Sequence, residues 1–338
     1  MNRCRARFPS LALLMSMPCA FAAPPTMQAI VQTGADASSF QLETVDTPRP
    51  GADQVLIKVY AAAVNPVDWK RRPAPITLSS GSTLPAIPGY DAAGVVDAVG
   101  PGVTTFKVGD PVVGRVNGAF AQYLVADVAQ VIPKPKRFTF EQAAGIPIAG
   151  MAGYGAAEAA NIKPGQRIAI IGAAGGAGSA AVDVVHAKGG KVIASGHSSQ
   201  AAWLAQQGVE EFVAYDKDDV AARLRNMDAV LNMVESQAAT ALAYVKRGGM
   251  FTSISGMPTP EQCTAAGVTC VQIRATSPGM SIGDTLRALG ALADAGKYTV
   301  RVTKVFPLAR ATEAQAFAHA GDSVGKVILS VDPKSKDR

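Results

Sequence analysis

The feature that most constrains this chain lies at its middle. A short apolar run, Gln166-Arg167-Ile168-Ala169-Ile170-Ile171-Gly172, passes directly into Ala173-Ala174-Gly175-Gly176-Ala177-Gly178 and then into an Ala- and Val-rich stretch of helical character, Ser179 to Lys188. A continuous apolar run of that length is what a strand buried on both faces requires. The glycines that follow have separable tasks. Gly172 permits a tight exit from the strand, Gly175 lets a pyrophosphate approach the backbone, and Gly178 lets the helix pack closely on the sheet. The start of the helix then offers unpaired N–H groups and positive potential to phosphate. Strand, glycine loop and helix in this order form the fingerprint of dinucleotide binding, with Gly172, Ala174, Gly175, Gly176, Ala177 and Gly178 as candidate contacts. No Lys-Ser/Thr pair follows the glycines, which excludes the phosphate loop of nucleotide triphosphatases.

The pattern continues around this unit. Lys191 to Ser195, Glu211 to Tyr215, Asp228 to Asn232 and Gly249 to Ile254 read as further strands, with helical stretches between several of them. Alternation at this spacing predicts a doubly wound parallel sheet. The end of its second strand discriminates between coenzymes, because an acid there holds the ribose 2′-hydroxyl and repels a 2′-phosphate. Here it reads Ser195-Gly196-His197-Ser198-Ser199, without an acid, which favours NADP(H) and makes Ser195, His197 and Ser198 candidates. Tyr215, ending the third strand, is either a neighbour of the adenine ribose or an ordinary strand-end aromatic. Ser253, at the end of the fifth strand, is a candidate for the nicotinamide pocket.

Residues 27 to 150 are different in texture. Gln54 to Val64, Gly94 to Gly100 and Pro111 to Gly114 are strand-like and bounded by Gly and Pro, which predicts a β-rich unit. After a helix near 284–295, strand-like runs return at Thr299 to Val305 and Lys326 to Val331, so residues 297–332 are expected to complete the first unit, leaving 151–296 as an insertion.

The first 23 residues read as a separate object. Arg3, Arg5 and Arg7 precede an apolar segment and then Ala20-Phe21-Ala22, which fits a secretory signal peptide, too short to remain as a membrane span. The expected location is therefore periplasmic or secreted; a translation start at Met27 instead predicts a cytoplasmic protein. Cys263 and Cys270, the two cysteines beyond the leader, are either a disulfide of an exported protein or a pair of thiols. The net charge of +6 falls to +3 without the three leader arginines, and to +1 without Lys334 to Arg338. The basic balance thus reflects the ends, and no basic helix with interleaved aromatics speaks for nucleic acid.

Set beside these motifs, Asn65-Pro66-Val67-Asp68, Pro88-Gly89-Tyr90-Asp91, Val108-Gly109-Asp110, Gly118-Ala119-Phe120-Ala121-Gln122-Tyr123 and Gly325-Lys326-Val327 occur in order. In these the chain resembles the medium-chain dehydrogenase/reductase superfamily, in its zinc-free quinone oxidoreductase and enone (alkenal) reductase branch. The resemblance implies an α/β protein: a GroES-like β-rich catalytic domain with an inserted Rossmann doubly wound parallel sheet. It also implies hydride transfer from NADPH to a small quinone or α,β-unsaturated carbonyl, and often a homodimer joined at the Rossmann sheet edge. The stretches that carry catalytic zinc ligands in metal-dependent relatives read Ala63-Val64-Asn65-Pro66 and Gly89-Tyr90-Asp91 here, without Cys or His, so no metal site is expected. By position in the family, Asn65 is a candidate donor to the developing oxyanion, or else a turn residue before Pro66. Lys70 is a candidate to polarise a carbonyl, or else part of a solvated basic run. Tyr90 stands where the His is lost, offering a hydroxyl or simply packing. Lys326 enters as a cofactor-side residue. Asp68 either orients Lys70 or caps the turn that follows it. A catalytically weak nucleotide-binding protein of the same fold is the competing reading.

Overall fold

The computed structural model describes residues 23–34, 39–70, 84–274, 276, 279–321 and 324–332. The leader expected over residues 1–23 lies, but for Ala23, outside them. The chain opens with β1 (Thr26–Gln32), β2 (Phe40–Asp46), β3 (Gln54–Val64) and a single turn, α1 (Val67–Lys70). It continues through β4 (Asp91–Val99), β5 (Pro111–Arg115), β6 (Tyr123–Asp127), β7 (Val131–Pro133), α2 (Phe140–Ala144) and α3 (Pro147–Ala159). The alternating unit follows as β8 (Arg167–Ile171), α4 (Gly176–Ala187), β9 (Lys191–Gly196), α5 (Ala201–Gln206), β10 (Glu211–Ala214), α6 (Val220–Arg223) and β11 (Met227–Asn232). It closes with α7 (Ala238–Leu242), β12 (Val245–Ser253), α8 (Pro260–Ala266), β13 (Thr269–Gln272) and α9 (Ile282–Asp294). The last elements are β14 (Val302–Pro307), α10 (Ala311–His319) and β15 (Lys326–Ser330).

Two large sheets result. One is six-stranded and wholly parallel, in the order β10-β9-β8-β11-β12-β13. The strand order reverses between β8 and β11, the switch point where ligands bind such sheets at the C-terminal strand ends. β13 is a strand the sequence reading lacks, because Thr269 to Gln272 is half-exposed and not apolar; the Cys263–Cys270 disulfide ties it to α8. The other sheet runs β14-β15-β3-β4-β5-β7, with β6 also pairing with β3. The late strands β14 and β15 lie in this sheet: β15 is antiparallel to β3, with Val327 opposite Val64. β3 is its longest strand, buried along nearly its whole length.

The two units meet across helix faces made of small residues. The boundary expected at residue 150/151 falls within the continuous helix α3, which Pro147 starts at a position where its missing N–H costs nothing. A Cβ on Gly153 of α3 would lie 2.4 Å from the Ala177 carbonyl oxygen and 2.6 Å from the Ala181 nitrogen, so the backbones of α3 and α4 touch. One hydrophobic core consequently runs through both units, joining Ala61, Val113 and Ile328 to Met151, Ile168, Ile170, Val184 and Leu289.

Candidate active site

The phosphate loop has the geometry its glycines predict. Gly172 has φ +79°, a left-handed conformation that favours glycine. A Cβ on Gly178 would lie 2.1 Å from the Gly172 oxygen, so only glycine allows α4 to approach the strand exit. At Gly175 the nearest atom to an added Cβ is 3.6 Å away, leaving the loop crest open. Gly175 is also the N-cap of the twelve-residue α4 and supplies no side chain to its first turn. The N–H groups of Gly176, Ala177 and Gly178 thus lack intrahelical partners, the arrangement that suits an anion. These residues fit the pyrophosphate of a dinucleotide.

The loop is clamped to the β-rich unit. The Gly325 N–H donates to the Ala174 carbonyl at 3.0 Å, and Gly325 bridges Gly175 in parallel register. Next along the chain, the stem of Lys326 fills the space beside Gly176, where an added Cβ would be 2.7 Å from its Cδ. The Lys326 ammonium turns inward, donating to the Asn65 Oδ1 at 2.5 Å and the Val64 carbonyl at 3.1 Å. The Asn65 Nδ2 donates to Asp91 Oδ2 at 2.9 Å and to the Ala63 carbonyl at 3.3 Å. The Asp91 carboxylate accepts the Ile148 N–H in the first turn of α3, at 3.1 and 3.2 Å. Three polar side chains from β3, β4 and β15 thereby join both units through one buried network. Burial pushes the Asp91 carboxyl up to about 6 against the opposing pull of Lys326, Asn65 and Ile148. Burial lowers the Lys326 ammonium, with Asp91 and Asp68 pulling the other way.

This network corrects the oxyanion-donor role expected of Asn65. Its side chain is almost wholly buried, both amide hydrogens are engaged and its oxygen is held by Lys326. Asn65 joins the two units, and in this arrangement has no donor left for a substrate. Lys326 likewise points into the network. Tyr90, next to Asp91 in sequence, is buried, and its carbonyl accepts the Val116 N–H at 2.7 Å. Asp68 accepts the Asn65 N–H at 2.8 Å, closing the turn before it. The Lys70 side chain lies outside the described residues.

At the adenosine end, the β9 and β10 strand ends lie side by side. Ser195 is buried, and its carbonyl accepts the N–H groups of Gly172 and Ala173 at 3.2 Å. The rings of His197 and Tyr215 meet edge-on, 5.9 Å between centroids, and Tyr215 is exposed. Ser198 donates both its N–H and its hydroxyl to Asp216, each at 2.7 Å. At the opposite end of the crevice Ser253 is fully buried, its hydroxyl engaged with Asn232 and the Ser255 carbonyl. It braces the ends of β11 and β12 and presents no hydroxyl to the crevice.

Residues 51–136 match the alcohol dehydrogenase GroES-like domain, and residues 207–329 match the family described as zinc-binding dehydrogenase. The chain is 31% identical over 308 residues to 2-methylene-furan-3-one reductase of Solanum lycopersicum, covering 86% of this chain and 74% of that one. It belongs to the medium-chain dehydrogenase/reductase superfamily, in the quinone and enone reductase branch. A second relative is the chloroplastic NADPH-dependent alkenal/one oxidoreductase of Arabidopsis thaliana, 30% identical over 90% of this chain and 80% of that one. Among solved structures, the quinone oxidoreductase of Coxiella burnetii superposes with a TM-score of 0.79 at 27% identity, covering 91% of this chain and all of the other.

In this medium-chain dehydrogenase/reductase, Ala63-Val64-Asn65-Pro66 and Gly89-Tyr90-Asp91 supply Asn65 and Asp91 to the buried network. Among the described residues no three His, Cys, Asp or Glu side chains come together as a metal-binding group. Two residues of the oxidoreductase site went unrecognised as such in the sequence. Asp91 appeared there only as part of a motif, and its reach to α3 depends on domain packing. Asp216 follows Tyr215 directly, but only the pairing of β9 with β10 brings it to Ser198.

Proposed function

We propose that this oxidoreductase takes hydride from NAD(P)H and delivers it to a quinone or α,β-unsaturated carbonyl without zinc. The observation that carries the reading is the saturated Asn65–Asp91–Lys326 network. It occupies the stretches that bind zinc in metal-dependent relatives and adds a buried ammonium, which disfavours a cation. The phosphate loop and the name of the Arabidopsis relative support a reduced nicotinamide dinucleotide as the hydride source. When bound, the reduced nicotinamide supplies the hydride. The chain's own work is binding and orientation: the α4 N-terminus holds phosphate, and the network fixes one unit against the other so that the crevice keeps its shape. Lys70 and Tyr90 are the candidates to ease charge on the substrate oxygen. Water completes the protonation.

The test is coenzyme oxidation by the purified chain with a panel of quinones and enals, before and after exhaustive chelation. Turnover unchanged by chelation is the expected result. Activity abolished by chelation and restored by zinc overturns the zinc-free reading. Coenzyme binding without turnover on any acceptor favours the binding-protein alternative.

The proposal extends to location and assembly. The leader and the Cys263–Cys270 bridge support export, and N-terminal sequencing of the native protein near Ala23 rather than Met27 tests it. The outer edge of β13 supports pairing with a second copy, tested by sedimentation.

A further inference from the structure

The adenosine end of the site does not match the coenzyme preference that the β9 sequence suggests. A 2′-phosphate is recognised by donors, above all by Arg, Lys and Ser with free N–H or O–H groups. Ser198 is the residue whose backbone and side chain would serve. Both of its donors already go to one carboxylate, that of Asp216: N–H to Oδ1 and hydroxyl to Oδ2, each at 2.7 Å. His197 completes the enclosure. Its Nδ1 accepts the Ser199 N–H at 3.2 Å, and its Nε2 faces Asp216 Oδ2 at 3.5 Å. Among the described residues no Lys or Arg is ion-paired with Asp216, so the carboxylate keeps its negative charge at the site. Its hydrogen bonds with Ser198 hold the carboxyl below the usual range, so it is ionised at neutral pH.

We infer that Asp216 is a specificity-determining residue of the coenzyme site: it stands in for the missing acid at the end of β9, reaching across from β10 to claim the Ser198 donors, so that this chain accepts NADH at least as readily as NADPH. The inference rests on the dinucleotide reading above and narrows it. A carboxylate at this point repels a dianionic phosphate and is itself an acceptor for a ribose hydroxyl, which the 2′-phosphate lacks. The acid performs the selection that relatives assign to the second strand, from the neighbouring strand.

The test is calorimetric titration of the full chain and of Asp216→Asn with NAD+ and NADP+, and with ADP-ribose and its 2′-phosphate, which removes any contribution from the nicotinamide end. The wild type is expected to bind NAD+ as tightly as NADP+ or tighter. In Asp216→Asn the ratio of NADP+ to NAD+ affinity is expected to rise about tenfold, a charge and a ribose-hydroxyl acceptor having been removed just beyond β10. Wild-type preference for NADP+ above tenfold, or a ratio unmoved by Asp216→Asn, overturns the inference while leaving the dinucleotide reading intact. Failure of the wild type to bind any of the four compounds overturns both.

Discussion

At the residue scale, the decisive groups are buried charges that serve the joint between the two units. Lys326 donates to two buried acceptors, the Val64 carbonyl and Asn65 Oδ1. Lys326→Met keeps the stem beside Gly176 but orphans the Asn65 Oδ1 and leaves Asp91 without its cation. A loss of about 2–4 kcal/mol in chemical denaturation is expected. A change below about 0.5 kcal/mol would show that the network does not hold the fold. A second acid, Asp183 of α4, accepts the N–H and hydroxyl of Thr299 at 2.7 and 3.0 Å, and burial pushes its carboxyl up to about 6. In the unfolded chain it titrates near 3.8, so between these values the native state binds the more protons and stability falls as pH rises. The contribution is complete below about pH 4 and lost above about pH 6. Asp183→Asn keeps an acceptor for Thr299 without the charge. Its stability relative to wild type is expected to rise by about 1–3 kcal/mol between pH 4 and pH 7. A difference flat across that range would mean Asp183 does not titrate as the burial argument requires.

At the element scale, much was legible in the sequence because local physics fixes it. The β8–loop–α4 unit is written in an apolar run and three spaced glycines, each with a steric reason in the structure. β3, β9, β10 and β11 follow from apolar runs bounded by turns. The sequence was silent where an element is short, half-exposed or defined by its partners. β13 exists because β12 offers a free edge and the disulfide anchors it to α8, not because Thr269-Cys270-Val271-Gln272 is strongly strand-forming. Reduction, or Cys263→Ser with Cys270→Ser, is expected to cost about 2 kcal/mol for so short a loop. Hydrogen exchange should then rise first at Val271 and Gln272, with β8 unchanged. Uniform acceleration over the whole parallel sheet would contradict a local role for the bridge.

At the scale of the whole molecule, the two units act as one through the Gly325 clamp. Gly325 has φ +93°, and an added Cβ would lie 2.4 Å from the Arg301 carbonyl oxygen. Gly325→Ala must therefore shift the segment that holds Ala174 and, through it, the phosphate loop. Dinucleotide affinity is expected to fall about tenfold or more, with a modest drop in melting temperature. Unchanged affinity would show that the loop keeps its shape without the clamp.

The sequence by itself determined the parallel sheet, the phosphate loop and the return of the last strands to the first unit. Each of these is encoded by apolar periodicity or by a glycine whose neighbours lie close along the chain. It also carried the family resemblance, because ordered motifs run from Asn65 to Val327. Only the tertiary structure decided what the polar residues do. Asn65, Asp91 and Lys326 are far apart in sequence, and their mutual saturation exists only once β3, β4 and β15 share a sheet and α3 docks on its end. Asp216 likewise acquires meaning from the β9–β10 register. A buried polar side chain is defined by the partners that replace its water, and those partners are set by packing rather than by spacing along the chain.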